Sequence, residues 1–252
     1  MNKQAPSNLT DQGYWNTVWA PHKLSYDPKS VLFKEVFRET LTAHLKRGGS
    51  CFEVGCFPGQ FLIYLAREFD LIANGIDLHA GTSTNLPPFL KSHGVKAGRI
   101  WEGDFFAQAI DQQFDLVASF GFLEHFLDTE NVLARHANLV KPGGLLFLEC
   151  PNFTRAQWLL RRLIDPENLR SHNIKSMNLD LWKNILQRHG FSILRQGYYR
   201  TFDFWTEPGI RTRFNGLSRL LCRVGPRLNS RLNLPNRFTS AFMYCVAKKS
   251  AA

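Results

Sequence analysis

Apolar residues along the chain recur with two alternating periods. Between residues 30 and 46, Phe33, Val36, Phe37, Leu41 and Leu45 stand at helical spacing, and Gly48-Gly49 ends the run. Residues 50–55 form a short apolar strand that enters a turn containing Gly55, Pro58 and Gly59. Residues 59–69 return to the helical period through Phe61, Leu62, Leu65, Ala66 and Phe69, and 71–77 is the next strand. Further strands are predicted at 99–102, 114–120, 145–150, 191–199 and 241–247, with helices at 129–140 and 178–189. Strands alternating with helices predict an α/β fold, parallel strands joined by helical crossovers that cover both faces. Two connections, about 151–177 and 200–240, are too long for plain loops and are expected to hold local structure or function.

The ends of the first strands carry the candidate chemistry, because an open parallel sheet binds ligands outside its carboxyl edge. The first strand ends Glu53-Val54-Gly55-Cys56-Phe57-Pro58-Gly59, where two glycines let the backbone turn sharply and approach a ligand. The second ends at Asp77-Leu78; an acid there can accept two hydrogen bonds from a ribose diol, or cap the following helix. The third ends near Asp104-Phe105, and the fourth runs to Ser119-Phe120-Gly121 and on to Leu123-Glu124-His125. A dinucleotide-binding oxidoreductase would need G-x-G-x-x-G in the first turn, and only Gly55 fits that pattern.

Six segments, in order, resemble class I S-adenosylmethionine-dependent methyltransferases. They are the acid-x-Gly-x-x-x-Gly turn at 53–59, the acid at 77, Gly-Asp at 103–104, Phe-Asp at 114–115, Leu-Glu-His at 123–125, and Leu-Val-Lys-Pro-Gly-Gly at 139–144. The resemblance covers about residues 30–150. It implies a Rossmann-like, seven-stranded, mostly parallel sheet with an antiparallel last strand, and S-adenosyl-L-methionine as cofactor. It further implies that Glu53, Gly55, Cys56 and Gly59 line the methionine end, and that Asp77 and Leu78 lie at the ribose. Asp104 and Phe105 would hold the adenine. Ser119, Phe120 and Gly121 would sit beside the methionine or the acceptor. Phe57 departs from the pattern, since many relatives carry a third glycine there.

The same resemblance makes residues 1–29 an aromatic lid ahead of a methyltransferase domain at 30–252, with Tyr14 and Trp15 as cofactor contacts; anchoring of the terminus is the plainer role. Two histidines are candidate bases for taking a proton from a hydroxyl acceptor: His125 after the fourth strand, and His172 in the 151–177 connection, which is expected near the pocket mouth. Each has a packing or solvent-facing alternative. Ubiquinone-pathway and small-RNA 3′-end methyltransferases carry a similar Glu-x-x-Glu-His segment that binds a divalent cation. Here Gly121 replaces the first glutamate, so no required metal is expected.

Composition narrows the partners. The 252 residues are 44% hydrophobic and 21% charged, the balance of a globular chain with room for a large core. The net charge is +10, but from Pro208 onward there are nine Lys or Arg and no acid, and the residues before it nearly balance. The excess thus belongs to one segment, which includes Arg211, Arg213, Arg219, Arg223, Arg227, Arg231 and Arg237. There Phe214, Leu217, Leu220, Leu221 and Val224 predict a basic amphipathic helix packed on the rim of the acceptor pocket. A solvated face, a small-molecule acceptor that is anionic or carrier-linked, peripheral contact with a membrane surface, and RNA are the competing uses. No RNA-binding module is recognisable, and nucleic acid is the least favoured. Scattered cysteines, no apolar run long enough to span a bilayer and a polar start predict a cytoplasmic setting. The expected activity is methyl transfer to a small molecule, at oxygen. An RNA methyltransferase and a non-catalytic cofactor-binding scaffold are the alternatives.

Overall fold

The computed structural model describes residues 8–20, 23–206 and 212–251; Arg211 and parts of the 1–29 segment lie outside them. The chain opens with α1 (Gln12–Trp19), capped by the Asp11 carboxylate, which accepts from the Tyr14 N–H. Then α2 (Lys34–Leu41) turns Val36, Phe37 and Leu41 inward, a shorter helix than the apolar spacing of 30–46 predicts. Next come β1 (Ser50–Val54), α3 (Gln60–Phe69), β2 (Ile72–Asp77), α4 (Thr82–Ser92), β3 (Ala97–Glu102), β4 (Phe114–Phe120) and α5 (Thr129–Asn138). After them follow β5 (Val140–Pro151), α6 (Arg155–Ile164), α7 (Pro166–Arg170), α8 (Leu179–Arg188), β6 (Phe191–Tyr199), α9 (Asn215–Asn229) and β7 (Phe242–Lys249).

The seven strands form one sheet in the order β3-β2-β1-β4-β5-β7-β6. The pairs from β3 through β5 are parallel, whereas β7 runs antiparallel to both β5 and β6. The expected antiparallel last strand is therefore present. Strand β6 points the same way as β1–β5, but its strand neighbour is the antiparallel β7.

Both faces of the sheet are buried, which is why the central strands read as continuous apolar runs. Phe52, Val117, Leu146 and Leu148 pack with Val132 and Leu133 of α5 and Trp182 and Leu186 of α8. Their neighbours along the same strands, Cys51, Leu116, Ala118 and Phe147, pack on the other face with α2, α3 and α4. At the amino edge, Asp115 accepts from the Ser50 N–H at 2.8 Å and from Lys141 Nζ at 2.8 Å. Partial burial works against that carboxylate, but Lys141 and Ser50 outweigh it and hold its pKa below the usual range. The Phe-Asp and Lys-Pro-Gly-Gly segments thus serve the sheet at the end remote from its ligand-binding edge.

Candidate cofactor and acceptor site

Strand order reverses between β1 and β4, and the crevice outside their carboxyl ends is the expected ligand position. It holds a cavity of about 310 Å³ lined by the turn after β1, by the ends of β2 and β4, and by α1. Gly55 lines it with φ +76°, and Gly59 follows with φ +92°. The Gly59 φ lies in the left-handed region that strains other residues, and a Cβ there would also press on Leu86 Cδ1 at 2.6 Å. The Phe57–Pro58 peptide bond between them is cis. Phe57 itself is a wall of the cavity, with its ring 5.7 Å from Trp19 and 4.2 Å from His79.

Two buried acids face this space. Glu53 lines the cavity with Oε2 lacking a hydrogen-bond partner; burial and then the charge of Asp77 push its pKa well above the carboxylate range. Asp77 accepts from the Phe57 N–H at 2.9 Å and the His79 N–H at 2.8 Å. Burial raises its pKa to about 6 against those bonds. It therefore shapes the local turn and also presents carboxylate lone pairs to the cavity. An unsatisfied buried carboxylate is costly unless a cation or donor meets it. The pair suits a ligand with an ammonium at one point and a diol at another.

A smaller adjoining cavity of about 40 Å³ shares Trp15, Asp77, Leu78 and Phe122 with the first and continues past Asp104 and Phe105. Phe105 stands edge-on to Phe122 and is covered by the Arg135 guanidinium at 5.0 Å. Asp104 Oδ1 accepts from the Phe106 N–H at 2.8 Å. The two spaces form one elongated groove, acidic at Glu53 and Asp77 and aromatic along its walls.

Helix α1 covers this groove. Gln12 donates to the Leu78 carbonyl at 2.9 Å, and Asn16 Oδ1 accepts from the Ala80 N–H at 3.2 Å. Trp15 and Trp19 are one helical turn apart, stacked at 6.5 Å, and both line the cavity. Tyr14 stands behind Trp15, its ring 6.5 Å from His125, and lines neither cavity.

Other expected residues are placed differently. Cys56 lies against Gly75, where a Cβ would meet it at 2.7 Å, so its side chain is core and only its backbone serves the turn. Ser119 is fully buried with an unpartnered Oγ and does not line the cavity; its neighbours Phe120 and Gly121 do. Phe120 stacks on Phe61 at 3.8 Å, forming one wall. The sequence reading passed over Trp19, Phe61 and Phe122 as lining residues. The four-residue spacing of Trp15 and Trp19 was the available signal for the first.

His125 is buried and lines the smaller cavity. Its Nδ1 lies 2.8 Å from the Ser171 carbonyl, its ring is 4.9 Å from Trp15, and burial lowers its pKa to about 4. His172 is buried behind it at 4.6 Å between rings, with Nδ1 2.6 Å from the Asn168 carbonyl. Burial, then the neighbouring His125, holds its pKa well below the usual value. The place expected for His172 at the pocket mouth is corrected: it packs inward against Phe153, at 4.7 Å. Burial keeps both rings neutral near pH 7, with Nδ1 of each against a backbone carbonyl; the His125 ring also bonds to the Gly121 backbone, and its Nε2 lies 3.9 Å from Glu124 Oε1. Glu124 joins them, and the ligand atoms of Glu124, His125 and His172 lie within 4.8 Å of one another. Two neutral imidazoles and a carboxylate have the chemistry of a small cation site, whereas the sequence reading takes Glu124 and His125, even with His172, as a poor set of ligands.

The methyltransferase-domain family matches residues 29–196, well over half of the chain. Among curated proteins, the chain is 33% identical over 122 residues to the ubiquinone biosynthesis O-methyltransferase of Serratia proteamaculans (strain 568), covering 46% of this chain and 50% of that protein. The counterpart from Klebsiella pneumoniae (strain 342) is 29% identical over 120 residues, 45% of this chain and 47% of the relative. The chain thus spans about half the length of these relatives. Among solved structures, a putative sarcosine dimethylglycine methyltransferase from Galdieria sulphuraria superposes with TM-score 0.58 at 15% identity, over 95% of this chain and 98% of that one. A methyltransferase from Geobacter sulfurreducens in complex with S-adenosyl-L-homocysteine gives 0.56 at 14%, over 92% and 96%. With the seven-stranded sheet and the matched domain in hand, the chain belongs to the class I S-adenosylmethionine-dependent methyltransferases.

Proposed function

We propose that the protein transfers the methyl group of S-adenosylmethionine to an oxygen of a small-molecule acceptor. The observation that carries this reading is the groove itself: a cavity of about 310 Å³ at the strand-order reversal, with one Glu53 carboxyl oxygen unpartnered, Asp77 one strand away and aromatic walls. Glu53 suits the ammonium of the methionine moiety, Asp77 the ribose diol, and Asp104 with Phe105 the adenine. The faces of Trp15, Trp19, Phe57 and Phe120 suit a sulfonium, since aromatic quadrupoles attract cations. When bound, the cofactor supplies an electrophilic methyl group. The protein's part is to align the acceptor oxygen, exclude water beneath α1 and remove the hydroxyl proton. Oxygen is favoured because the curated relatives are named O-methyltransferases of ubiquinone biosynthesis.

His125 is the proposed base. It is neutral across the working range, its Nδ1 is anchored on Ser171, and it lines the groove, whereas His172 reaches the groove only through it. No metal is assigned to the chemistry: the Glu124-His125-His172 set lies in the interior beside the groove. Isothermal titration calorimetry and turnover separate the roles. Asp77→Ala is expected to weaken S-adenosylmethionine binding by roughly tenfold or more, the size of one lost charge-assisted hydrogen bond. His125→Ala is expected to leave that affinity within about twofold while turnover falls ~10²–10⁴-fold. Unchanged affinity in the first variant removes the ribose assignment, and full turnover in the second removes the base. Turnover that disappears on dialysis against chelator and returns with a divalent cation would move the cluster into the chemistry.

A further inference from the structure

Two helices of the acceptor-side insertions dock by their polar sides. Helix α6 buries Gln157, Arg161 and Ile164 and turns Trp158, Leu159 and Leu163 to the surface, the two leucines 55% and 54% exposed. Gln157 donates to the carbonyls of Asp203 and Thr239, both at 3.3 Å. Arg161 donates to Asp165 Oδ2 at 3.1 Å and to the Trp205 carbonyl at 3.0 Å, between the rings of Phe153 and Trp205. Helix α9 does the same. It buries Ser218, Gly225 and Asn229 while Phe214, Leu217 and Leu220 stand 56%, 45% and 54% exposed. Asn229 Oδ1 accepts from the Thr201 N–H at 2.8 Å and the Phe202 N–H at 3.0 Å. The amphipathic helix expected from the sequence exists, but the outer part of its apolar stripe faces away from the protein.

The segments flanking α9 bond to both ends of α6. The Arg213 N–H donates to the Ile164 carbonyl at 2.9 Å beside the start of α9, and the Ala156 N–H donates to the Phe238 carbonyl at 3.3 Å beyond its end. Arginines frame the exposed apolar groups: Arg155 and Arg162 on α6, and Arg219, Arg223 and Arg227 on α9. Among the described residues none of these five is in an ion pair. The sequence from Pro208 onward contains no acid at all. No helix among the described residues is long and apolar enough to cross a membrane.

We propose that the exposed sides of these two helices dock together on the surface of an anionic lipid bilayer, with the leucines and Trp158 at the boundary of headgroups and acyl chains and the arginines on headgroup phosphates. Charge complementarity selects that occupant. A second copy of the chain would set the same arginines against each other. RNA would meet the arginines but give the exposed leucines no apolar environment. A bilayer answers both parts of the surface. Both insertions leave the carboxyl ends of β5 and β6, the edge that holds the cofactor cavity, so docking would turn the acceptor side of the sheet toward the lipid.

Co-sedimentation with large unilamellar vesicles tests this. Vesicles of phosphatidylcholine containing phosphatidylglycerol should bind the protein at least about tenfold more strongly than phosphatidylcholine alone. The double variant Leu163→Glu, Leu220→Glu should lower binding to the anionic vesicles by about tenfold or more, with melting temperature and S-adenosylmethionine affinity unchanged because both leucines are exposed. Failure of the wild type to sediment, or equal sedimentation of the variant, overturns the proposal. So does a concentration-dependent dimer that the variant abolishes, or retention on RNA but not on vesicles.

Discussion

Glu149 is the last residue of β5 paired with β4 and holds its carboxyl in the protein interior, where one oxygen has no hydrogen-bond partner. Burial raises its pKa to about 8, although the Gly121 N–H works the other way. The folded value lies above the unfolded one, so the fold favours the protonated acid. Its contribution is fully present below about pH 4.3 and is lost as pH rises toward 8. Asp77 adds a smaller loss of the same sign below about pH 6. Glu149→Gln is therefore expected to match the parent near pH 4.5 and to exceed it at pH 8 by on the order of 1–3 kcal/mol, measured by urea denaturation without cofactor. A difference that does not vary with pH would exclude this titration. At this scale the sequence showed which residues end the strands, but not which way each side chain turns. Cys56 and Gly55 are adjacent, yet one packs on Gly75 and the other borders the cavity. His172 could be placed by topology near the carboxyl edge; that it packs inward depends on Asn168 and Phe153 in its own connection.

Elements were legible where period and burial agree. The strands between 50 and 151 and helices α3, α5 and α8 follow from their apolar spacing. Helix α4 was not predicted, because Pro87 and Pro88 lie within it and its residues are poor helix formers; burial of Leu86 and Leu90 against the sheet overrides that preference. Helix α6 was missed for a different reason: its inward positions are Gln157 and Arg161, so an apolar search assigns it the wrong face. Its neighbour α9 docks through a glycine. A Cβ on Gly225 would lie 2.3 Å from the Phe202 carbonyl oxygen. Alanine is the better helix former, yet Gly225→Ala should force α9 off its seat and increase proteolysis within 200–240, while leaving S-adenosylmethionine affinity unaltered. An unchanged digestion pattern would show that the contact can relax in place.

At the level of the whole molecule, charge and covering are distributed by region. The sheet and its flanking helices carry the cofactor groove, and the arginine excess lies in a segment that follows β6. The groove is covered by α1, held through Gln12, Asn16 and the Leu9 N–H, which donates to the His125 carbonyl at 2.8 Å. Helix α1 makes few deep contacts, with Val18 its single buried residue, and segments of that kind open most readily. Saturating S-adenosylmethionine should slow hydrogen exchange of the α1 amides by about tenfold or more, relative to those of α8 on the far side. Equal exchange with and without cofactor would make α1 an anchor rather than a lid.

The position of β7 has a consequence for how the chain assembles. Strands β5 and β6 point the same way but never touch; β7 lies between them and bonds to both. Until β7 arrives, β6 has no hydrogen-bonded neighbour, β5 is an open edge, and the long segment between β6 and β7 spans a gap in the sheet. β7 is made after all the other strands, so on a ribosome the first five strands can pair early while this flank waits. The groove end of the sheet is thus built from contacts close in sequence, and the flank that bears the arginines is closed by pairings distant in sequence and slow to form. An unfinished chain would expose an apolar strand edge on that flank, which makes the closing step the point at which self-association competes with folding.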